Sequence, residues 1–472
     1  KYLVSCSADG MVKVWDLKSQ TEVYTRVQID RSEWIATSPG GFFDGSSKAL
    51  SLVNYVSGIE SIKVSSLFDK YYSPGLIQRI QEGESFDDRG EDINRTLKES
   101  PSVAFHLTNT SKRSIPVEID SNYVWKSDRL PLDISIDSKG KNLEEVRIYN
   151  NGKLVVKEML NEEIVFRGGA KDTRNFEIPL YDGNNSISAV VINEDRTESE
   201  PAQILVSFDG EAAKTDLYIL TIGINKYKNS SYDLSYAVND AKSFSKAIAK
   251  KSDSLFSNIY EYHISDAKAL KSTIQETLKE IESKIGPEDV FVFYYAGHGV
   301  IGEDPVSKNS DFYIVTHDIT NLYGDYESLK SKAFSASELL ESSVRIMAAK
   351  QLFVIDACHS GGALESFAQR GGAREKALAQ LARSTGTFFL TASQDIQFAN
   401  EAGSLEHGLF TYALLEVLSG KSGAAYDNKV TVNEVKSYVE DRVPELSEEY
   451  HGSAQYPASY SYGQDFPLVI IR

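Results

Sequence analysis

At 472 residues the chain is long enough for roughly two to four domains of about 100–200 residues each, and an apolar content of 41% supplies several cores. A formal charge of −18 argues against nucleic-acid and anionic-membrane partners, both of which need a basic face. No apolar run approaches the ~20 residues that span a bilayer. The two cysteines, Cys6 and Cys358, fall in regions of different character, so no structural disulfide is expected. Free thiols suit a reducing, cytoplasmic setting. The sequence starts at Lys1 with neither Met nor a charged-then-apolar leader, which reads as a fragment of a longer protein.

In residues 1–25, two alternating runs flank Asp9-Gly10, a hairpin turn signal, and Trp15-Asp16 closes the second. The serine, the Asp-Gly turn and the Trp-Asp pair resemble one hairpin of a WD-repeat blade. No second copy follows, so the expectation is a partial blade; an ordinary β-hairpin is the alternative. Residues 26–80 read as a connector that opens with a strand–turn–strand around Trp34 and Phe42. Residues 81–100, with Glu82, Glu84, Asp87, Asp88, Glu91 and Asp92, read as a solvated acidic linker. Residues 101–208 hold short alternating runs such as Leu132–Ile136 and Ile187–Ile192, with an Asn151-Gly152 turn. That spacing predicts an all-β sandwich of immunoglobulin-like type, serving as a spacer or docking module.

From residue 215 to 472 the pattern changes to alternating strands and helices. Apolar runs predict strands at Leu217–Gly223 and around 289–295, 311–316, 351–356 and 386–392. Helices are expected around 237–250, 335–347, 375–384, 408–419 and 431–448, with a last strand near Phe466–Ile470. Leu270, Ile274, Leu278, Ile281 and Ile285 mark a further helical stripe. This predicts a doubly wound α/β sheet.

Chemistry in such a sheet gathers outside the carboxyl ends of its strands. One apolar run leads into Gly297-His298-Gly299, another into Asp356-Ala357-Cys358-His359-Ser360. The pairing predicts Cys358 as nucleophile and His298 as its base and later acid. The backbone N–H groups of Cys358 and Gly299, leaving their strand ends at the crevice, are the expected oxyanion donors. His359 is expected to order its loop, since neighbours on an extended segment point opposite ways. His317 and His407 have no partner that the sequence can name, and no Cys/His spacing suits zinc.

Leu220–Tyr227, Leu234–Ala241, Gly297-His298-Gly299, Asp356–Gly361, Gly408–Thr411 and Gln455-Tyr456-Pro457 together resemble the caspase-hemoglobinase fold of metacaspases and their bacterial relatives. The His298-to-Cys358 spacing exceeds the ~50 residues of animal caspases, and their Gln-Ala-Cys-Arg-Gly signature is replaced. The resemblance implies a cysteine endopeptidase acting on protein or peptide substrates, cutting after Arg or Lys. Asp240 and Asp356 would accept the basic side chain through charge-assisted bonds. Other duties for them are a helix N-terminal charge for Asp240 and a loop contact for Asp356. Calcium is implied as a possible cofactor, with Asp311, Asp318 and Asp325 as candidates by residue type alone. A Gly371-Gly372 connector carrying Arg370 and Arg374 is the expected site of self-cleavage, with an uncut surface loop as the alternative. The preceding modules suggest gating by a regulatory protein partner. The rival reading is a catalytically silent caspase-fold scaffold for protein–protein contact.

Overall fold

A computed structural model describes residues 1–30, 33–57, 60–86, 96, 99–108, 114–116, 122–160, 172–209, 215–306, 310–358, 368–392, 401–402, 405–421, 428–452 and 454–471. Some side chains inside these ranges lie outside the description, those of Cys358, Arg370 and Arg374 among them. The chain forms two compact units, Lys1–Asn150 with Leu154–Gly210, and Glu211–Arg472 with Asn151–Lys153.

In the first unit, five strands from Tyr2 to Gly45 form an antiparallel meander in sequence order. Gly10 turns the first hairpin at φ +82. The sheet therefore runs on past residue 25 into the stretch expected to be connector. Phe68 stacks on Tyr72 at 4.2 Å between ring centroids beneath it. Of the acidic stretch 81–100, Phe86 is buried against Phe42 and below the Arg79 guanidinium; most of the rest lies outside the described residues.

Two further sheets follow. One orders Asn122–Trp125, Ala202–Phe208, Gly183–Asn193, Leu143–Asn150 and Lys153–Met159; the other orders Asp172–Pro179, Arg129–Asp137, Ser102–Thr108 and Ser114–Pro116. Alternate residues of both, including Leu132, Ile134, Ile148, Ile178, Ile187 and Val191, share one core. A buried guanidinium ties this all-β layer to the preceding segment: Arg147 lies 2.5 Å from Glu145, 3.6 Å from Glu198 and 3.9 Å from Asp69. A buried charge is tolerated when it is paired this way.

The second unit is α/β. Its elements are β1 (Leu217–Gly223), α1 (Ala237–Lys251), β2 (Ile259–Ser265), α2 (Lys271–Glu282), β3 (Val290–Glu303), β4 (Ser310–Ile314), α3 (Tyr326–Lys332), β5 (Phe334–Ser335), α4 (Ala336–Arg345), β6 (Lys350–Cys358), α5 (Ala368–Thr385), β7 (Phe388–Thr391), β8 (Glu401–Ala402), β9 (His407–Gly408), α6 (Leu409–Ser419), β10 (Lys429–Thr431), α7 (Val432–His451), β11 (Ala458–Ser461) and β12 (Pro467–Ile470). The main sheet runs β2-β1-β3-β6-β7-β11, parallel except for β11. Its central strands are buried on both faces, hence their near-continuous apolar sequence. Val290, Val292, Tyr294 and Ala296 join Leu352 and Val354 against α1, α6 and α7. Phe291, Phe293, Phe353 and Phe389 interlock among themselves, through residues of the opposite parity. Order reverses between β1 and β3, so the crevice at their carboxyl ends is the favoured place for a site.

Two elements differ from expectation. β3 does not stop at Tyr295 but continues to Glu303, because residues from Gly299 onward pair antiparallel with β4. The helix expected at 375–384 begins at Ala368, so Arg370 and Arg374 fall on a helical backbone rather than a loop. Alanines with Gln, Arg, Glu and Lys favour helix strongly enough to carry Gly371 and Gly372, each of which costs about 1 kcal/mol there.

The close crossing of β1 and α1 depends on Gly223. A Cβ there would lie 2.5 Å from the Ala237 carbonyl oxygen and 2.8 Å from Val238 Cα. Gly223→Ala is expected to destabilise the α/β unit by about 1–3 kcal/mol, read from the midpoint of denaturant unfolding.

Candidate active site

His298 sits on β3 directly opposite Cys358 on β6, the last facing pair of that parallel ladder. Its backbone is held by two buried tyrosines. The His298 N–H donates to the Tyr227 hydroxyl at 3.0 Å. The Tyr295 hydroxyl lies 2.6 Å from the His298 carbonyl and 3.0 Å from that of Val315. Gly297 permits this closure, since a Cβ there would meet both tyrosine hydroxyls. Burial pushes both phenols up from their usual range, so they stay neutral donors.

The ring of His298 is oriented by a main-chain group. Nε2 lies 2.8 Å from the Tyr232 carbonyl, which can only accept, so Nε2 carries hydrogen and neutral His298 keeps its lone pair on Nδ1. Tyr232 ends a 3-10 turn, Ser230–Tyr232, in the loop between β1 and α1. Asp233 shapes that loop by accepting from the Tyr227 N–H and from Lys226, both at 2.9 Å. Asn225 closes it through bonds to Ser235 and Val238, both at 3.0 Å.

Gly299 is not at a strand end as expected; it lies within β3, opposite Ile314 on β4. Val315 donates to the His298 carbonyl at 3.0 Å. By antiparallel alternation Gly299 therefore turns its own N–H away from β4 and towards the β6 side, where Cys358 lies.

Asp240 and Asp356 converge on α6. Asp240, in the first turn of α1, accepts from the Gly408 N–H at 3.2 Å and lies 2.6 Å from His407 Nδ1. Asp356 accepts from the Thr411 hydroxyl at 2.5 Å, and Tyr294 lies 2.6 Å from the same hydroxyl. Both carboxylates are buried. A Cβ on Gly408 would lie 3.3 Å from one Asp240 oxygen and 3.4 Å from one Asp356 oxygen, so any larger residue there would crowd both carboxylates. Burial, and then the neighbouring Asp240, push the Asp356 carboxyl up to about 7. The same two carboxylates, added to burial, hold Tyr294 well above its ordinary range.

The sequence reading missed His407, Thr411, Tyr294 and the Tyr232 carbonyl. The motif Gly408–Thr411 was visible, but nothing in it named Asp240 or Asp356 as partners. The three aspartates named as calcium candidates are each engaged locally. Asp311 accepts from Phe312 and Ser337, Asp318 from Thr316, and Asp325 caps α3. Among the described residues no three metal-binding side chains cluster. His317 lies 2.5 Å from the Lys226 carbonyl and serves the β1–α1 loop. His359 lies outside the described residues, and among those described no helix is long and apolar enough to cross a membrane.

Fold and site thus define an α/β domain that presents a histidine and a cysteine on adjacent strands, β3 and β6, at the carboxyl end of its parallel sheet. Residues 217–466 match the family model of the caspase domain, the C14 peptidases, and the chain belongs to that family. The family is one of cysteine peptidases. No curated protein matches the chain. Among solved structures it is similar to protein GSU0716 of Geobacter sulfurreducens, at 15% identity over 54% of this chain and 100% of that one, with a TM-score of 0.37. It is also similar to the fibronectin(III)-like modules of Clostridium thermocellum CbhA, at 15% identity over 20% and 96% of the two chains and a TM-score of 0.16. A third is the CARDB domain of the Pyrococcus furiosus PF1109 protein, at 14% identity over 24% and 97%, again with a TM-score of 0.16.

The position of Asp356 has a measurable consequence. In the unfolded chain its carboxyl ionises near 3.9; in the folded one it ionises near 7. Between those values the folded state holds a proton that the unfolded state has lost. The group's contribution to stability is complete below about pH 4 and is lost as pH rises through about 7. Asp356→Asn keeps an acceptor for Thr411 but cannot ionise. Its stability relative to the unsubstituted protein is expected to grow from about pH 4 to about pH 7 and then level off in denaturant titrations at each pH.

Proposed function

We propose that this protein is a cysteine endopeptidase that cuts after Arg or Lys, of the metacaspase type. The observation that carries the reading is the register of β3 and β6, which faces His298 with Cys358 and brings Asp356 to the same end of the sheet. In the proposed mechanism His298 Nδ1 takes the thiol proton, and Cys358 Sγ attacks the carbonyl carbon of the scissile bond. The Tyr232 carbonyl holds the opposite ring nitrogen and steadies the imidazolium. His298 then passes its proton to the leaving amine, and water, deprotonated by the same imidazole, releases the acyl group from sulfur.

The N–H groups of Gly299 and Cys358 are the proposed oxyanion donors. Both face the β3–β6 ladder, so receiving an oxyanion requires the terminal His298–Cys358 pair of that ladder to part. Such an opening is a natural point of control for the all-β unit or for a protein partner. The Asp240–Asp356 space at Gly408 is the proposed cavity for the basic side chain, with two acceptors for a guanidinium fork.

A positional peptide library tests this reading. Arg and Lys before the scissile bond should be cut and Asp ignored. Cys358→Ala should abolish turnover, and His298→Ala should lower kcat/KM by about 10²–10⁴. Asp240→Ala should cost about 2–5 kcal/mol on basic peptides while leaving the labelling of Cys358 by an uncharged electrophile intact. Cleavage after Asp, or turnover by Cys358→Ala, would overturn it.

Self-cleavage after Arg370 or Arg374 belongs to the same proposal, now with the requirement that the first turns of α5 unwind, because a peptidase binds its substrate extended. Intact-mass analysis of the purified enzyme should show fragments ending at Arg370 or Arg374, absent from Cys358→Ala. An active enzyme that stays full-length rejects this step.

A further inference from the structure

If Asp240 and Asp356 receive a substrate cation, something must face them before it arrives. On Asp240 that group is His407. Its Nδ1 lies 2.6 Å from Asp240 Oδ1 and 3.4 Å from Asn239 Nδ2. The shorter contact decides the tautomer: Nδ1 carries hydrogen and donates to the carboxylate. The imidazole is largely buried, with its side chain 17% exposed.

The backbone is bent to put it there. Glu406, the preceding residue, takes a left-handed φ of +56, a conformation uncommon outside glycine. Asn239 donates to the Glu406 carbonyl at 3.0 Å and holds that turn. The next residue is Gly408, which donates to the other oxygen of Asp240 and lines the space beside Asp356. His407 and Gly408 thus grip one carboxylate by its two oxygens, beside Asp356.

We propose that His407 is a specificity-determining residue of this site: its imidazole holds one edge of Asp240 by a hydrogen bond, and an incoming Arg or Lys side chain must take that edge from it. The proposal rests on the reading of Asp240 and Asp356 as the basic-residue pocket. The groups that bear on it are Asp240 and Asn239 from α1, Asp356 from β6, Tyr294 from β3 and Thr411 from α6. Glu401 on β8 pairs with Gly408 through the backbone.

By donating to Asp240 Oδ1, His407 competes with a substrate cation for that edge of the carboxylate. His407 touches none of the reacting atoms, so its effect belongs in KM.

The test compares the full chain with His407→Ala, which frees that edge of Asp240, and with His407→Gln, which can still donate to it. Substrates are a peptide with Arg before the scissile bond and its uncharged citrulline isostere. His407→Ala should lower KM for the Arg peptide by about tenfold, His407→Gln should restore it, and neither should move KM for the citrulline peptide. Arg peptides cut with the same KM by all three proteins would overturn the inference while the proposed activity stands.

A second measurement needs neither folding of a variant nor turnover. The His407 ring is followed by NMR in the unsubstituted protein, with and without saturating argininamide. Its Nδ1–H signal should move when the guanidinium takes Asp240; an unchanged signal overturns the inference. Failure of the activity itself reads differently, as no cleavage of any basic peptide and no labelling of Cys358.

Discussion

The site depends on the register of one strand pair. β3 and β6 face Ala296 with Asp356 and His298 with Cys358. Side chains alternate faces with a period of two residues. The parity that buries Val292, Tyr294, Leu352 and Val354 against α1 and α6 also aims Asp356 at Thr411. A slip of one residue would move the whole set to the other face. The phenylalanines of the opposite parity, Phe291, Phe293 and Phe353, lock the register by packing among themselves. The apolar core thus sets the alignment on which the polar chemistry relies.

Around that pair the protein accepts polar burial that a purely structural sheet would avoid. Asp240, Asp356 and His298 are buried, and Tyr294, Tyr295 and Tyr227 are buried beside them. Each is tied by hydrogen bonds to a neighbour, which is what makes such burial tolerable. Asp240 and Asp356 add a second strain, since like charges in a dry cleft repel, and the raised Asp356 carboxyl is how the folded chain relieves it.

Much of this was legible in the sequence, for reasons of local physics. Apolar runs ending in Gly-His-Gly and Asp-Ala-Cys-His name strand ends and reactive groups together, and β-branched and aromatic runs announce buried strands. What stayed hidden was of two kinds. The partnership of His407 with Asp240 joins residues 167 positions apart, and no pattern along the chain encodes it. The Tyr232 carbonyl carries no residue identity at all. The start of α5 was misread because Gly371-Gly372 was weighed above its helix-forming neighbours. The length of β3 was misread because its continuation depends on pairing with β4, not on its own composition.

The carbonyl that orients His298 differs from a side-chain member of a catalytic set in how it can be inherited. A carboxylate in that role can be lost by a single codon change. The oxygen of Tyr232 survives any substitution that preserves the local chain path, so replacing the side chain does not test the carbonyl. Its weak points are changes of path: an insertion between Tyr227 and Asp233, a proline within Ser230–Tyr232, or loss of the Asn225 and Asp233 anchors. The side chain at 232 matters separately, through its ring, which stands edge-on to the His298 ring at 6.2 Å between centroids.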